Sequence, residues 1–269
     1  MPDVYATIEQ TEEAVQERLA DVLELRAADL QQRAMLEDHL ADLPLPAGAR
    51  ILEIGCGTGA VTRTLARALD VGEVVGLDPG RLFIEQARRR AEGMRGVSFV
   101  LGDGRELPFD EGSFDAVVCH TSLCHIPGPE AVLAESLRVT RPDGWLAIFD
   151  GDYATTTVAT SDHDPLQACV EAAMAALVHD RFLVRRLPSL TRAAGWQLVR
   201  TRSHGYVETT DAQYMLTLID RGADALVDRG TLSEDLAAEL KEEARRRVVS
   251  GTFFGHIAYA SLIACRAAG

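Results

Sequence analysis

A doubly wound α/β fold with a mostly parallel sheet is predicted by three observations. Between Arg50 and Asp150 short apolar strands alternate with helical stretches, the rhythm of βαβ units with helices on both faces. The first of these strands runs directly into glycines at alternate positions, Gly55, Gly57 and Gly59, and a helix begins at once. The second strand ends in an acid, Asp78.

Taken in order, residues 11–43 read as two helices, with Val15, Leu19, Val22 and Leu23 and then Leu30, Met35, Leu36 and Leu40 near helical spacing. Leu43-Pro44-Leu45-Pro46-Ala47-Gly48 breaks that pattern. Strands follow at Arg50–Ile54, Glu73–Leu77, Val97–Leu101, Phe114–His120 and Trp145–Asp150. The helices between them are Ala60–Leu69, Arg81–Met94 and Glu130–Thr140. The turn Arg141-Pro142-Asp143-Gly144 precedes the fifth strand. Beyond residue 150 the pattern loosens. Helices are expected at Pro165–His179, Leu187–Ala194, Asp211–Val227 and Ser233–Val249, a strand at Trp196–His204, and a last strand within Thr252–Arg266. The arginine triples at 88–90 and 245–247 read as solvated helix faces.

Composition bounds the function. The chain has 269 residues, 47% apolar and 25% charged, an ordinary globular mix, and a formal charge of -14. Such a field repels nucleic acid and anionic membrane, so a small molecule is the expected partner. Cys56, Cys119, Cys124, Cys169 and Cys265 are scattered, without CxxC pairs or zinc spacing; this suits a reducing, cytoplasmic setting and no metal. The acidic stretch MPDVYATIEQTEE has no apolar core of a signal peptide, and no apolar run approaches the ~20 residues of a membrane span. The oligomeric state is not legible.

The glycine turn is the strongest chemical signal. Glycines let a ligand touch backbone, the helix that follows presents free N–H groups, and a carboxylate at Asp78 suits the two hydroxyls of a ribose. Gly55, Gly57 and Ala60 also satisfy the G-x-G-x-x-G/A pattern of a dinucleotide site, which keeps a nicotinamide-dependent oxidoreductase as a rival. Against it, Glu53 places an acid inside the first strand, where a pyrophosphate gains nothing from negative charge and a sulfonium ligand with an amino group is accommodated.

Glu53 to Gly59 resembles motif I of class I methyltransferases that use S-adenosylmethionine. Gly76-Leu77-Asp78-Pro79 is similar to their acidic second-strand end, and Gly102-Asp103-Gly104 with Leu107-Pro108-Phe109 to their third-strand motif. Ser113–Val118 and Arg141–Leu146 complete the set in order. The resemblance covers residues 45–150 and is closest to the ubiquinone/menaquinone-biosynthesis-like, small-molecule branch. It implies a Rossmann-like, seven-stranded mixed sheet, six strands parallel and the last antiparallel, with a helical cap. The divisions expected are an N-terminal cap at 1–45, a cofactor-binding core at 46–150, and a C-terminal half at 151–269 with covering helices at about 206–250.

The resemblance also implies site residues. Gly55, Cys56, Gly57 and Gly59 approach the methionine and ribose portions of S-adenosylmethionine, with Cys56 a small filler; Glu53 lies beside them. Asp78, next to Pro79, takes the ribose hydroxyls. Asp103 and Gly104 meet the adenine, and Arg33 meets the cofactor carboxylate. His120 is a candidate base or pocket contact, since imidazole titrates near neutrality, and His125 and Asp152 are further catalytic candidates. The expected reaction is methylation of O, N or C in a small metabolite, leaving S-adenosylhomocysteine. A protein that keeps the cofactor but performs pericyclic-type chemistry is the alternative, because one fold supports several reactions.

Overall fold

The computed structural model describes residue 8, residues 11–68 and residues 70–266. Most of the N-terminal stretch read for a leader, the first residues of the expected cap and Leu69 of the expected Ala60–Leu69 helix lie outside the described residues.

Seven strands form one sheet: β1 (Ala49–Ile54), β2 (Val71–Asp78), β3 (Val97–Leu101), β4 (Phe114–His120), β5 (Thr140–Thr157), β6 (Trp196–Glu208) and β7 (Gly255–Arg266). Nine α-helices accompany them among the described residues. These are α1 (Glu13–Ala28), α2 (Leu30–Leu40), α3 (Ala60–Ala68), α4 (Arg81–Arg90), α5 (Pro129–Val139), α6 (Pro165–Leu177), α7 (Leu183–Ala193), α8 (Gln213–Asp228) and α9 (Glu234–Ser250).

The strand order is β3-β2-β1-β4-β5-β7-β6. Neighbours from β3 through β5 pair in parallel, whereas β7 runs antiparallel to both β5 and β6. Only the last strand therefore opposes the rest, as expected. Ile51, Leu52 and Ile54 are buried because helices cover both faces, so β1 reads as a continuous apolar run.

The chain leaves β1 toward β2 on one side and, after β3, crosses to β4 on the other. The strands part at β1 and β4, and their carboxyl ends frame a crevice. Register aligns its rim: Ile54 lies opposite both Leu77 and Cys119, Asp78 opposite Leu101, and His120 opposite Phe149.

Several boundaries differ from the expected ones. β5 begins at Thr140, because Arg141–Gly144 is carried as a register shift between the Phe114 and Ala116 pairings, with Asp143 at φ 63°. β6 runs to Glu208, so residues 206–208 of the expected cap belong to the sheet; the Glu208 carboxylate accepts from the Tyr214 and Met215 amides and caps α8. α7 starts at Leu183, which puts Pro188 inside the helix instead of in its first turn. The arginine triples are tied down more than a solvated face requires: Arg88 donates to the Phe99 carbonyl, and Arg247 pairs with the buried Asp164 at 2.5 Å.

α2 lies beside the far end of the sheet. Arg202 of β6 pairs with Asp38 and Asp42, and the Gln32 amide reaches the Tyr259 hydroxyl of β7 at 3.3 Å. α1 crosses the crevice and contacts α3, α4 and α8. No described helix is long and apolar enough to cross a membrane.

Candidate active site

A cavity of about 310 Å³ occupies the crevice. Its floor is the glycine turn after β1 (Gly55–Thr58), with Pro79 after β2, Asp103–Arg105 after β3 and His120–Ser122 after β4. Leu23, Arg26, Ala27, Gln32, Arg33 and Leu36 of α1 and α2 close it from above. The parallel sheet delivers four loops to one edge, and the N-terminal helices roof them.

The turn is held by its neighbour strand. The Gly55 and Cys56 amides donate to the Leu77 carbonyl at 2.8 and 3.0 Å. The Gly57 and Gly80 amides donate to the two oxygens of Asp78, each at 2.8 Å. Gly55 and Gly57 stand at φ +74° and +50°, where an L side chain is strained. A Cβ on Gly55 would strike Ser122, and one on Gly57 would come within 2.7 Å of Leu23 Cδ1. The missing side chains are thus what bring the β4 loop and α1 close to this backbone.

Two carboxyls lie beneath the turn. Burial raises the Asp78 carboxyl to about 6 against the two amide hydrogen bonds, which favour its ionised form. Glu53, 1% exposed, accepts a short hydrogen bond from Thr62 Oγ1. Burial raises it to about 8, the Asp78 charge adds to the rise, and the Thr62 hydroxyl opposes it. Glu53 is therefore mostly protonated at neutral pH.

His120 ends β4, its ring stacked on Phe149 with centroids 4.7 Å apart. Its Nδ1 is sealed and has no hydrogen-bond partner among the described residues. Burial, followed by the neighbouring His39 and Arg26, holds its pKa well below the ordinary value, so the ring is neutral at pH 7. His39 and His204 flank the same Phe149 at 5.8 and 5.4 Å. At the opposite rim Arg105 grips Asp103 at 2.6 Å, and this bond holds the Asp103 carboxyl below its usual range.

One carboxylate fastens the roof. Glu24 of α1 accepts from Thr58 Oγ1 at 2.6 Å, pairs with Arg63 of α3 at 2.9 Å and pairs with Arg90 of α4 at 3.2 Å. The loop after β4 is fastened by Asp150, whose buried oxygens accept from the Cys124 and Gly151 amides at 3.1 and 2.8 Å. Burial raises the Asp150 carboxyl. A second chamber, of about 30 Å³, adjoins the first through Arg26 and His125, which line both.

The structure brings most of the predicted residues to this place: Glu53, Gly55, Cys56, Gly57, Asp78, Pro79, Asp103, Gly104, His120, His125 and Arg33 all line the main cavity. Two do not. Gly59 lies outside the lining; its absent side chain makes room for the Phe99 ring, so it serves the packing of α3 on β3. Asp152 lies outside both cavities and pairs with Arg185 of α7 at 2.9 Å, because β5 continues past it and turns its carboxylate toward that helix. Sequence reasoning missed Arg26, Gln32 and Ser122. Arg26 carried a legible signal: it stands three, four and seven residues after Leu23, Val22 and Leu19, a charge on the apolar face of its helix.

Residues 52–148 match the family described as "Methyltransferase domain". The chain is 32% identical over 188 residues to an uncharacterized 37.1 kDa protein in transposon TN4556 of Streptomyces fradiae, covering 69% of this chain and 54% of that one. It is 30% identical over 129 residues to the demethylmenaquinone methyltransferase of Staphylococcus saprophyticus, covering 48% and 55%. The chain thus spans about half the length of the curated relatives it matches. Among solved structures, a Bacillus halodurans protein described as a candidate methyltransferase superposes with a TM-score of 0.62 at 18% identity, over 87% of this chain and 99% of that one. The cyclase SpnF superposes at 0.57 and 20% identity, over 88% and 82%. At such identities the two structures speak for the fold alone. The matched segment runs from the second half of β1 through the first half of β5 and includes every strand end that lines the cavity; over these residues the chain is similar to the methyltransferase domain family.

Proposed function

We propose that this chain transfers the methyl group of S-adenosylmethionine to an O, N or C atom of a small molecule, releasing S-adenosylhomocysteine. The observation that carries the reading is the glycine turn over two buried carboxyls, inside the matched domain and open to a cavity of about 310 Å³. The residues fit the cofactor. A Cβ on Gly55 or Gly57 would meet Ser122 or Leu23, so the turn brings bare backbone to the cavity. Asp78 sits at the end of β2, where a ribose is bound in related folds. In this reading Asp103 and Gly104 receive the adenine, and the exposed guanidinium of Arg33 receives the carboxylate end.

When bound, the cofactor supplies an electrophilic methyl on a sulfonium. The chain's own residues do the rest. Arg26, Gln32 and Leu36 exclude water from above, since effective alignment needs a closed site. Neutral His120 is able to accept a proton from the acceptor, and its low basicity suits acceptors acidified on approach. Asp150 positions the Leu123–His125 turn and with it His125. The ionised Asp78 carboxylate beneath the turn favours a cationic ligand over a pyrophosphate, which supports this reading over the nicotinamide one. The function divides as an N-terminal cap through residue 45, a cofactor-binding core to 150 and a C-terminal half that encloses the acceptor, in the cytoplasm, where scattered thiols stay reduced.

Calorimetric titration with S-adenosylmethionine, S-adenosylhomocysteine and NADH, one at a time, tests it. Micromolar binding of the first two without NADH is expected. NADH binding alone would overturn the reading. Binding of S-adenosylmethionine with no methyl transfer across an acceptor screen, while the protein still accelerates a ring closure, would move it to the pericyclic alternative.

A further inference from the structure

We infer that the methyl acceptor carries a monoanionic carboxylate, seated against Arg221 in the second chamber, on an apolar or aromatic body that reaches past Arg26 and His125 into the main cavity. This deepens the methyltransferase reading and rests on it for the identity of the reacting site.

The chamber sits on the roof side of the main cavity and shares Arg26 and His125 with it. Its walls are otherwise Tyr153, Met174, Leu218, Tyr214 and similar apolar groups, with Arg221 among them. Among the described residues no aspartate or glutamate lines it, in a chain that has 41 acids against 27 lysines and arginines. Among the described residues Arg221 makes no hydrogen bond and no ion pair. Its neighbours on α8 are committed elsewhere: Asp220 pairs with Arg245 at 2.7 Å and Asp224 with Lys241 at 2.5 Å, both across to α9. Arg221 is half-buried beside these apolar walls, a cation with donors left for an anion.

The arginine is rigidly mounted. α8 crosses α6 at Gly222, where any Cβ would run into the Cys169 carbonyl, so the backbone that carries Arg221 and Leu218 to the chamber wall is closely packed. Arg26 lies over the Tyr214 ring at 5.3 Å and adds positive potential at the opening. One arginine fork matches one carboxylate, two parallel N–H donors to two oxygens. The Tyr153 and Tyr214 rings with Met174 surround the carboxylate with apolar walls, which strengthens its pairing with the guanidinium.

The test uses the full chain saturated with S-adenosylhomocysteine and titrated with benzoate, benzamide or phenyl phosphate at pH 7. Benzoate is expected to bind at least tenfold more tightly than neutral benzamide. Arg221→Gln is expected to weaken benzoate at least tenfold while leaving benzamide and S-adenosylhomocysteine within twofold, and Arg221→Lys to recover part of the loss. Equal binding of benzoate and benzamide, no benzoate binding, or an Arg221→Gln variant that binds benzoate normally would overturn the inference. Phenyl phosphate binding more tightly than benzoate would overturn the carboxylate assignment. Failure of S-adenosylhomocysteine to bind the unaltered chain would instead count against the methyltransferase reading, and the benzoate series run without it would still decide the role of Arg221.

Discussion

Replacing Glu53 by glutamine isolates the electrostatic cost of placing an acid beneath the glycine turn. Glutamine keeps the shape and an oxygen for the Thr62 hydroxyl, and it removes the titration. In the folded chain burial lifts the Glu53 carboxyl from an ordinary 4.5 to about 8. The folded state therefore keeps a proton that the unfolded chain releases. The resulting stability is fully present below pH 4.5 and is lost as pH rises toward 8. Each pH unit across that span is worth about 1.4 kcal/mol, so the whole span amounts to roughly 5 kcal/mol, and the stretch from pH 5 to pH 8 to roughly 4 kcal/mol. Asp78, raised to about 6, loses stability in the same sense between pH 3.8 and 6, but it is present in both proteins and largely cancels in the difference. Urea unfolding of both proteins at pH 5, 6, 7 and 8 is the assay. Glu53→Gln should gain on the unaltered chain at every step upward, by about 1 kcal/mol or more per unit. Parallel stability curves, with a difference constant to about 0.5 kcal/mol, would refute the claim that Glu53 is folded in its protonated form.

Two further outcomes follow from the same geometry. Gly57→Ala puts a side chain at φ +50° and drives its Cβ toward Leu23 of α1; it should cost about 1–3 kcal/mol of stability and weaken S-adenosylhomocysteine at least tenfold, measured by thermal melting and calorimetry, and wild-type values in both would remove the turn from the site. His120→Phe preserves a ring against Phe149 and removes the base; turnover with an acceptor found by screening should fall roughly 10²–10⁴-fold while S-adenosylhomocysteine affinity stays within threefold, and unchanged turnover would leave His120 as a wall of the pocket.

Much of this molecule was legible residue by residue. The strands Val97–Leu101 and Phe114–His120 stand where the apolar runs put them, because a parallel strand covered on both faces needs an unbroken apolar run. Glu53, the Gly55–Gly57 turn and Asp78 were legible together because their chemistry is local: each lies within a residue or so of a strand's end or follows it directly, and the parallel register brings strand ends to one edge. Boundaries past residue 150 were less legible, since the antiparallel β7 and the extension of β6 to Glu208 depend on pairing between segments far apart in the chain.

What the sequence by itself determined, then, is the class of fold and the glycine turn with Asp78, which follow from periodicity and from turns that only glycine makes without strain; the antiparallel last strand and the rest of the cavity floor were implied by the family resemblance. The tertiary structure alone decided the roof and the second chamber. Glu24 meets Arg63 and Arg90, Arg221 meets Tyr153 and Met174 across a chamber, and Asp152 turns to Arg185. These are contacts between residues tens of positions apart. Nothing in the local pattern of either partner specifies them; they arise when α1 and α8 pack over the sheet edge and leave some charges paired and Arg221 facing the cavity.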